Sequence, residues 1–339
     1  MASSMVIQWI QRGRIVQWPA FLSLQDKAWI KEWLEGTDQM KFLTSGTTGQ
    51  PKEIYFSRDQ IMASAQRTAH FFDLKDNQNV LHTLPFSFVA GRMNVLRALI
   101  LKQNLYSIEW KSKEDWQTLS QIPIHWWTST PMMIHQVAVA GINVGFIDKI
   151  LLGGGAIPEE VHKILHSSSS IIYEGYGMTE TLTHIAVRKA AATSDYFTPM
   201  EGVVCESDEH GALIIHDHAL KNEVRTSDLV KFNESGGFCV MGRADDVINS
   251  GGLKIFPMDV EKWMQPYMTK EFAIVKAPHD SLGEQVVCLH TSISDSQDEV
   301  FWKNIFREHP YWRPKRFVLV ESLPYNANGK LNRNWRKED

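Results

Sequence analysis

The sequence predicts an α/β protein. A large N-terminal domain carries mostly parallel sheets flanked by helices plus a small β-rich part, and a small mobile α+β domain follows at the C-terminus. Three observations carry this reading. Between residues 80 and 173, short apolar runs alternate with helix-patterned segments, the signature of parallel strands joined by crossover helices. From residue 183 the helical period gives way to short strands separated by Gly, Asp and Asn. Beyond Pro257, helices and strands return in a compact mixture. The boundary falls at Arg243–Asp246, giving domains over 1–243 and 244–339.

In chain order, residues 1–43 read as a lead-in with one amphipathic helix through Leu24, Ala28, Ile30, Trp33 and Leu34, ended near Gly36. Phe42-Leu43 and Ile54–Phe56 are extended pieces on either side of a polar loop. Ser57 followed by Gln60 is a capping box for a helix whose inner face is Ile61, Met62, Ala65, Thr68, Ala69 and Phe72. Strands follow at 80–84, 105–110, 124–128, 147–152 and 171–173. The helices between them run over 91–101, 113–120 and 131–140, with another beginning at Pro158. The β-rich part has strands at 203–205, 212–215, 224–225, 229–232 and 238–240. The last piece holds helices near 258–265 and 297–309 and strands at 271–276, 285–290 and 316–320.

Composition narrows the function. A hydrophobic content of 43% with 22% charged residues is that of a globular protein, and a net charge of −4 advertises no nucleic-acid surface. Cys205, Cys239 and Cys288 lie far apart with no C-x-x-C, which argues against a disulfide framework or zinc site and fits a cytoplasmic location. No stretch approaches the roughly 20 apolar residues needed to span a bilayer. The expected partners are therefore small molecules, with no nucleic acid and no membrane insertion; a homodimer stays open.

The polar loop is Thr44, Ser45, Gly46, Thr47, Thr48, Gly49, Gln50, Pro51 and Lys52. Glycines let backbone N–H groups approach an anion, the hydroxyls add donors, and the lysine adds a point charge, so the loop can cradle phosphate. It is not a P-loop, because Pro51 has no N–H to donate and Glu53 stands where a magnesium-binding hydroxyl would be needed. A Ser/Thr/Gly surface loop is the plainer alternative. Five further stretches are candidates of the same kind. Gly153-Gly154-Gly155-Ala156 after a strand suits a flat ligand or a simple turn. Tyr176-Gly177-Met178-Thr179-Glu180 offers an aromatic face, a hydroxyl and a carboxylate of the kind magnesium takes beside phosphates. Asp228, read as sitting at a strand start, can accept from two hydroxyls. Gly242-Arg243-Ala244-Asp245-Asp246 suits a hinge. Lys330, in Pro324–Lys330, follows a glycine turn.

Together and in this order, these motifs resemble the adenylate-forming superfamily of acyl-CoA synthetases, peptide-synthetase adenylation domains and luciferases, over about residues 40–335. The resemblance implies ATP-dependent conversion of a carboxylic acid to an acyl-AMP, then transfer to coenzyme A after rotation of the small domain about Asp245. It implies that Thr44–Lys52 holds the β- and γ-phosphates. Gly154, Gly155, Ala156, Tyr176, Gly177 and Met178 would surround the adenine. Thr179 would touch the α-phosphate, Glu180 would hold Mg2+, and Asp228 with Arg243 would bind the ribose. Lys330 would neutralise charge at the reacting phosphorus.

Three features depart from the family pattern. The chain is short on its N-terminal side, Ser227 replaces a glycine before Asp228, and Phe88 stands where many members have histidine. The compact form and the run from Val89 to Leu99 are similar to o-succinylbenzoate–CoA ligases of menaquinone synthesis. That substrate has two carboxylates, and Arg92, His184 and Phe88 are the candidate acyl contacts. Another aryl or medium-chain acid, transfer to a carrier-protein thiol, or a non-catalytic AMP-binding protein are the alternatives. Lys330→Ala is expected to abolish acid-dependent ATP–pyrophosphate exchange while sparing thioester formation from supplied acyl-AMP. Equal loss of both half-reactions would contradict the assignment.

Overall fold

The computed structural model describes residues 6–44, 52–108, 113–155, 157, 161, 164, 165, 168–190, 194–292, 299–325 and 331–333. Strand β5 (Asn79–His82) is flanked by β6 (Asn104–Ile108) on one side and β7 (Ile124–Ser129) on the other, with β8 (Ile147–Leu152) and β9 (Ile171–Gly177) beyond β7. All four pairings are parallel. The crossover between β5 and β6 is helix α1 (Val89–Ile100), and α2 (Lys113–Leu119) and α3 (Pro131–Val139) follow β6 and β7. The parallel strands are apolar on both faces, as a sheet covered on two sides requires. Val80, Trp126 and Leu151 enter one core, while Leu81, Trp127, Ile150 and Leu152 enter the other.

Antiparallel strands close both ends of this sheet. On one side lie β10 (His184–Lys189) and β11 (Thr198–Pro199), and on the other β1 (Val6–Gln11) and β2 (Arg14–Ile15). The lead-in is thus more than the single helix its periodicity predicts. Val6, Ile7, Trp9 and Ile10 do not alternate, because the pairing with β6 shifts register between Gln8 and Ile10. Trp9 closes the contact by donating from Nε1 to Ser107 Oγ at 2.9 Å. The expected lead-in helix is present over Leu24–Leu34, capped by Ser23 and Asp26. A separate hairpin, β3 (Gln39–Leu43) with β4 (Glu53–Ser57), leads into the helix Arg58–Phe72, whose Ser57–Gln60 capping box forms as its sequence predicts.

Three boundaries move for identifiable reasons. The helix expected from Gly91 begins at Val89, since Gly91 lies so close to Pro85 that a Cβ would meet its carbonyl oxygen at 2.2 Å. The strand expected at 171–173 runs on to Gly177, held extended opposite β10. The two strands expected at 224–225 and 229–232 are one, β14 (Asn222–Phe232), so Asp228 lies inside a strand and not at its start. Thr226 and Ser227 interrupt the apolar pattern there, but the strand runs through them. β14 belongs to a four-stranded sheet in the order β12 (Val203–Ser207), β13 (Ala212–Asp217), β14, β15 (Phe238–Arg243). The helix expected from Pro158 begins outside the described residues.

The chain divides into two compact units, one of Met1–Cys205, Ile215–Val224 and Glu234–Gly237, the other of Glu206–Ile214, Arg225–Asn233 and Phe238–Asp339. In the second, β16 (Ile248–Ser250), β17 (Leu253–Ile255), β18 (Phe272–His279), β19 (Gly283–His290) and β20 (Arg316–Leu319) form a sheet. The helices Pro257–Met264 and Glu299–Ile305 lie against one face through Met264, Ile274, Val286, Trp302 and Phe306. Ala273, Val275, Val287 and Leu289 pack with Leu323 on the other. Arg333 binds Glu261 in a fork, with Nη2 donating to Oε2 at 2.8 Å, and donates to the Ile274 carbonyl.

Arg67 and Asp217 form a buried ion pair in the first unit, with 7% and 0% side-chain exposure and both guanidinium nitrogens 2.9 Å from carboxylate oxygens. Asp217→Ala leaves that cation unpaired. It is expected to lower stability by about 3–5 kcal/mol in denaturant titrations, whereas Arg67→Met with Asp217→Leu recovers most of the loss.

Candidate active site

The β3–β4 hairpin sets the base of the Thr44–Lys52 loop. Thr44 donates its N–H to the Lys52 carbonyl at 2.9 Å, and Lys52 donates its own to Thr44 Oγ1 at 3.1 Å. Lys52 is exposed. Ser45, Gly46, Thr47, Thr48 and Gly49 lie outside the described residues, as do Ala156 and Lys330.

The carboxyl ends of β7, β8 and β9 lie side by side, where an open α/β sheet receives ligands. Gly153 at the end of β8 donates to the Ser129 carbonyl at 3.1 Å. Gly154 has φ of 91°, which demands glycine, yet a Cβ at Gly153 or Gly155 would meet nothing within 4 Å. Among the described residues, packing does not require glycine at those two positions. At Gly177 the opposite holds, since a Cβ would lie 2.1 Å from the Thr183 carbonyl oxygen. That closeness folds Thr179–Thr181 into a 3-10 turn. Thr181 Oγ1 donates within it, with the Met178 and Thr183 carbonyls at 3.1 and 2.8 Å, and Leu182 takes φ of 63°. Met178 opens the turn, Thr179 is buried, Glu180 half-buried, and Tyr176 half-buried with its ring 5.9 Å from Phe197.

Among the described residues, no group of three or more His, Cys, Asp or Glu side chains could hold a metal ion by itself. In the second unit, Asp228 and Arg243 are direct cross-strand neighbours, with Nη1 3.6 Å from Oδ1 and Nη2 donating to Ser227 Oγ. Asp245 is exposed on the 3-10 turn Ala244–Asp246, and its carbonyl accepts from Lys276 Nζ at 2.6 Å.

The strand order reverses at β5, with β6 to one side and β7 to the other, which marks the topological switch point. Buried polar groups collect there. His82 and Thr128 are register partners at the ends of β5 and β7. His82 Nε2, Thr128 Oγ1, Ser129 Oγ and Asn94 Oδ1 are buried without hydrogen-bond partners. Burial pushes the His82 imidazole down to about 4, so it is neutral near pH 7. One turn beyond Asn94 on α1, Arg97 is 3% exposed, and its guanidinium makes no hydrogen bond or ion pair with any described residue. Burial lowers its pKa to about 10, which still leaves it charged.

The residues picked from sequence as acyl contacts differ from Arg97. Arg92 donates from Nε to the Phe86 carbonyl at 3.1 Å and from Nη1 to the Lys41 carbonyl at 2.8 Å, and stacks 4.7 Å from the Trp29 ring. Phe88 caps α1 and is 39% exposed. His184 Nε2 lies 3.2 Å from Thr68 Oγ1, whose own proton goes to the Ser64 carbonyl at 3.0 Å, so His184 is the donor. Burial, then the charges of Arg97 and Arg67, push the His184 imidazole well below its ordinary value. Sequence reasoning passed over Arg97 because it lies about 130° round the helix from the apolar stripe of Val95, Leu96, Leu99 and Ile100, where an arginine is expected in solvent. The helix is instead buried on most of its surface, from Gly91 to Leu99.

Gly177→Ala is expected to lower melting temperature and activity together. Gly155→Ala should leave melting temperature unchanged while weakening AMP binding in calorimetric titration.

The profile of the AMP-binding enzyme family matches residues 40–243. The 2-succinylbenzoate–CoA ligase of Staphylococcus epidermidis is 26% identical over 344 residues, covering 92% of this chain and 72% of its own length. The long-chain-fatty-acid–CoA ligase FadD13 of Mycobacterium tuberculosis is 25% identical over 338 residues, covering 87% and 67%. Among solved structures, an acyl-CoA synthetase (AMP-forming)/AMP-acid ligase II-like protein from Dyadobacter fermentans superposes with a TM-score of 0.61 at 26% identity, over 93% of this chain and 94% of that one. The o-succinylbenzoate CoA synthetase of Bacillus subtilis, in complex with the acyl-adenylate intermediate, shares the fold with a TM-score of 0.78 at 20% identity, over 88% and 69%. With the profile matched over more than half of its length, this chain belongs to the AMP-binding enzyme family.

Proposed function

We propose that the chain is an acid–thiol ligase that activates o-succinylbenzoate with ATP and transfers it to coenzyme A, a step of menaquinone synthesis. One carboxylate of the acid attacks the α-phosphorus of ATP, forming an acyl-AMP and expelling pyrophosphate. The thiol then attacks the acyl carbon and AMP departs. Phosphoryl displacement asks the protein for positioning and charge neutralisation more than for acid–base groups. Thr44–Lys52 would grip the β- and γ-phosphates, Thr179 the α-phosphate, and Lys330 the charge growing at phosphorus. Gly154, Gly155, Ala156, Tyr176, Gly177 and Met178 would hold the adenine, and Asp228 with Arg243 the ribose. Magnesium, held by Glu180 with the phosphates, would supply further neutralisation. Asp245 is the proposed pivot between the domains 1–243 and 244–339.

The observation that carries the choice of acid is Arg97. A buried, charged guanidinium without an anion is costly, and an acid with a second carboxylate removes that cost on binding. Arg92 is held away by two backbone carbonyls, which take a proton each from Nε and Nη1, and by the Trp29 ring. His184 is neutral and uses its Nε2–H on Thr68, which leaves a lone pair at Nδ1 that would repel a carboxylate. We therefore move the carboxylate contact from Arg92 and His184 to Arg97. Curated relatives of the same name support the same acid. A monocarboxylic acid would leave Arg97 unpaired.

The test is ATP–pyrophosphate exchange across a panel of acids, followed by AMP release with and without coenzyme A. Exchange should be strongest with o-succinylbenzoate and weak with its analogue lacking the distal carboxylate. Arg97→Met should raise KM for o-succinylbenzoate about 100-fold, the effect of losing roughly 3 kcal/mol of charge-assisted bonding, while raising the melting temperature of the free protein because a buried unpaired charge is removed. Because the His184 imidazole is held below its usual range, it stays neutral as pH rises through 6.5, and KM for the acid should be flat from pH 6.5 to 8. Exchange with no acid would refute the ligase, and equal use of the monoacid would refute the role of Arg97.

A further inference from the structure

The adenine-facing tyrosine has a built support. Glu174 on β9 and Arg188 on β10 are direct register partners. Glu174 is 5% exposed, and Arg188 binds it with Nε donating to Oε2 at 2.7 Å and Nη2 2.6 Å away. The third nitrogen, Nη1, turns outward and donates to the Asp195 carbonyl at 2.7 Å. The flat of the guanidinium then lies 4.6 Å from the ring centre of Phe197. Phe197 is buried and packs its ring against Tyr176. Directly after Phe197 the chain enters β11, which pairs with Ala186 and Val187 on β10. Tyr176 is itself opposite Ala186. One guanidinium thus ties β9, β10 and the 195–197 segment together behind a single aromatic ring.

We propose that Arg188, anchored by Glu174, is a positioning residue for the purine base of the nucleotide. It holds Phe197 as a backstop that keeps the Tyr176 ring in the orientation required for stacking. A planar, always-charged fork is suited to this double duty, since it can satisfy a carboxylate in its plane while an aromatic ring packs on its face. Lysine could keep the charge but not the geometry. The inference rests on the reading of Tyr176 as an adenine contact.

The experiment is calorimetric binding to the full chain, with AMP and adenosine as probes and inorganic pyrophosphate as the control, so that no assumption about the acid enters. Glu174→Gln with Arg188→Met removes both charges and avoids stranding a buried carboxylate. This double variant, Phe197→Leu and Tyr176→Leu should each weaken AMP and adenosine roughly three- to tenfold, the worth of one lost aromatic contact, with pyrophosphate affinity unchanged. Arg188→Lys should fall between wild type and the double variant. Adding Phe197→Leu to the double variant should cost little more, because the groups act in series. If Tyr176→Leu weakens AMP while the double variant and Phe197→Leu bind it as wild type does, the support is merely structural and the proposal falls. Unchanged affinity in Tyr176→Leu would instead overturn the adenine reading, and the proposal with it. A uniform loss of AMP, adenosine and pyrophosphate binding would also overturn it, since that is the signature of general damage.

Discussion

The parallel register of β5, β7, β8 and β9 is the constraint on which the rest of the first unit depends. It brings His82, Ser129, Leu152 and Gly177 to one edge of the sheet, and each strand hands its next residues to a loop with chemical potential. The register can hold only because both faces are dry. Adjacent tryptophans on β7 point to opposite cores, and Val80, Leu81, Ile150 and Leu151 on the neighbouring strands fill the same two cores. The polar groups buried without partners, His82 Nε2, Thr128 Oγ1 and Ser129 Oγ, lie at the carboxyl ends of β5 and β7.

Close backbone approach converts this register into a shaped surface. Gly177 sits against the Thr183 carbonyl so tightly that no other residue fits, and the resulting turn orients Thr179 and Glu180. Gly153 and Gly155 are glycines for a different reason, having free space beside them. Two glycine-rich stretches that look alike in sequence therefore do different work. One is dictated by the protein packing on itself, and the other leaves room for something else.

Buried charge separates structure from function in the same way. Arg67 with Asp217, Arg188 with Glu174, and Arg333 with Glu261 are paired within the protein, each through at least one charge-assisted hydrogen bond. Such pairs tolerate burial because their desolvation cost is offset internally. Arg97 is buried without any such partner among the described residues. It is the contrast with the paired arginines, more than burial alone, that supports the proposal of a substrate carboxylate at Arg97.

The sequence by itself determined the fold class, the order of motifs and the local devices that depend on near neighbours. The Ser57 capping box, the strands flanking Thr44–Lys52 and the alternation that produces the parallel sheet were all legible, because they arise from residues a few positions apart. Tertiary structure decided what depends on distant partners. β1 was hidden because its pairing shifts register. Asp228 proved to be inside a strand because β15, not apolar alternation, keeps it extended. Arg92 and Arg97, two arginines on one helix, were indistinguishable as sequence. Only the carbonyls of Lys41 and Phe86, far from or folded back onto that helix, occupy the first and leave the second charged and unpaired in the interior. Periodicity reports which way a side chain faces. Whether it is satisfied there is set by groups that only the folded chain brings near.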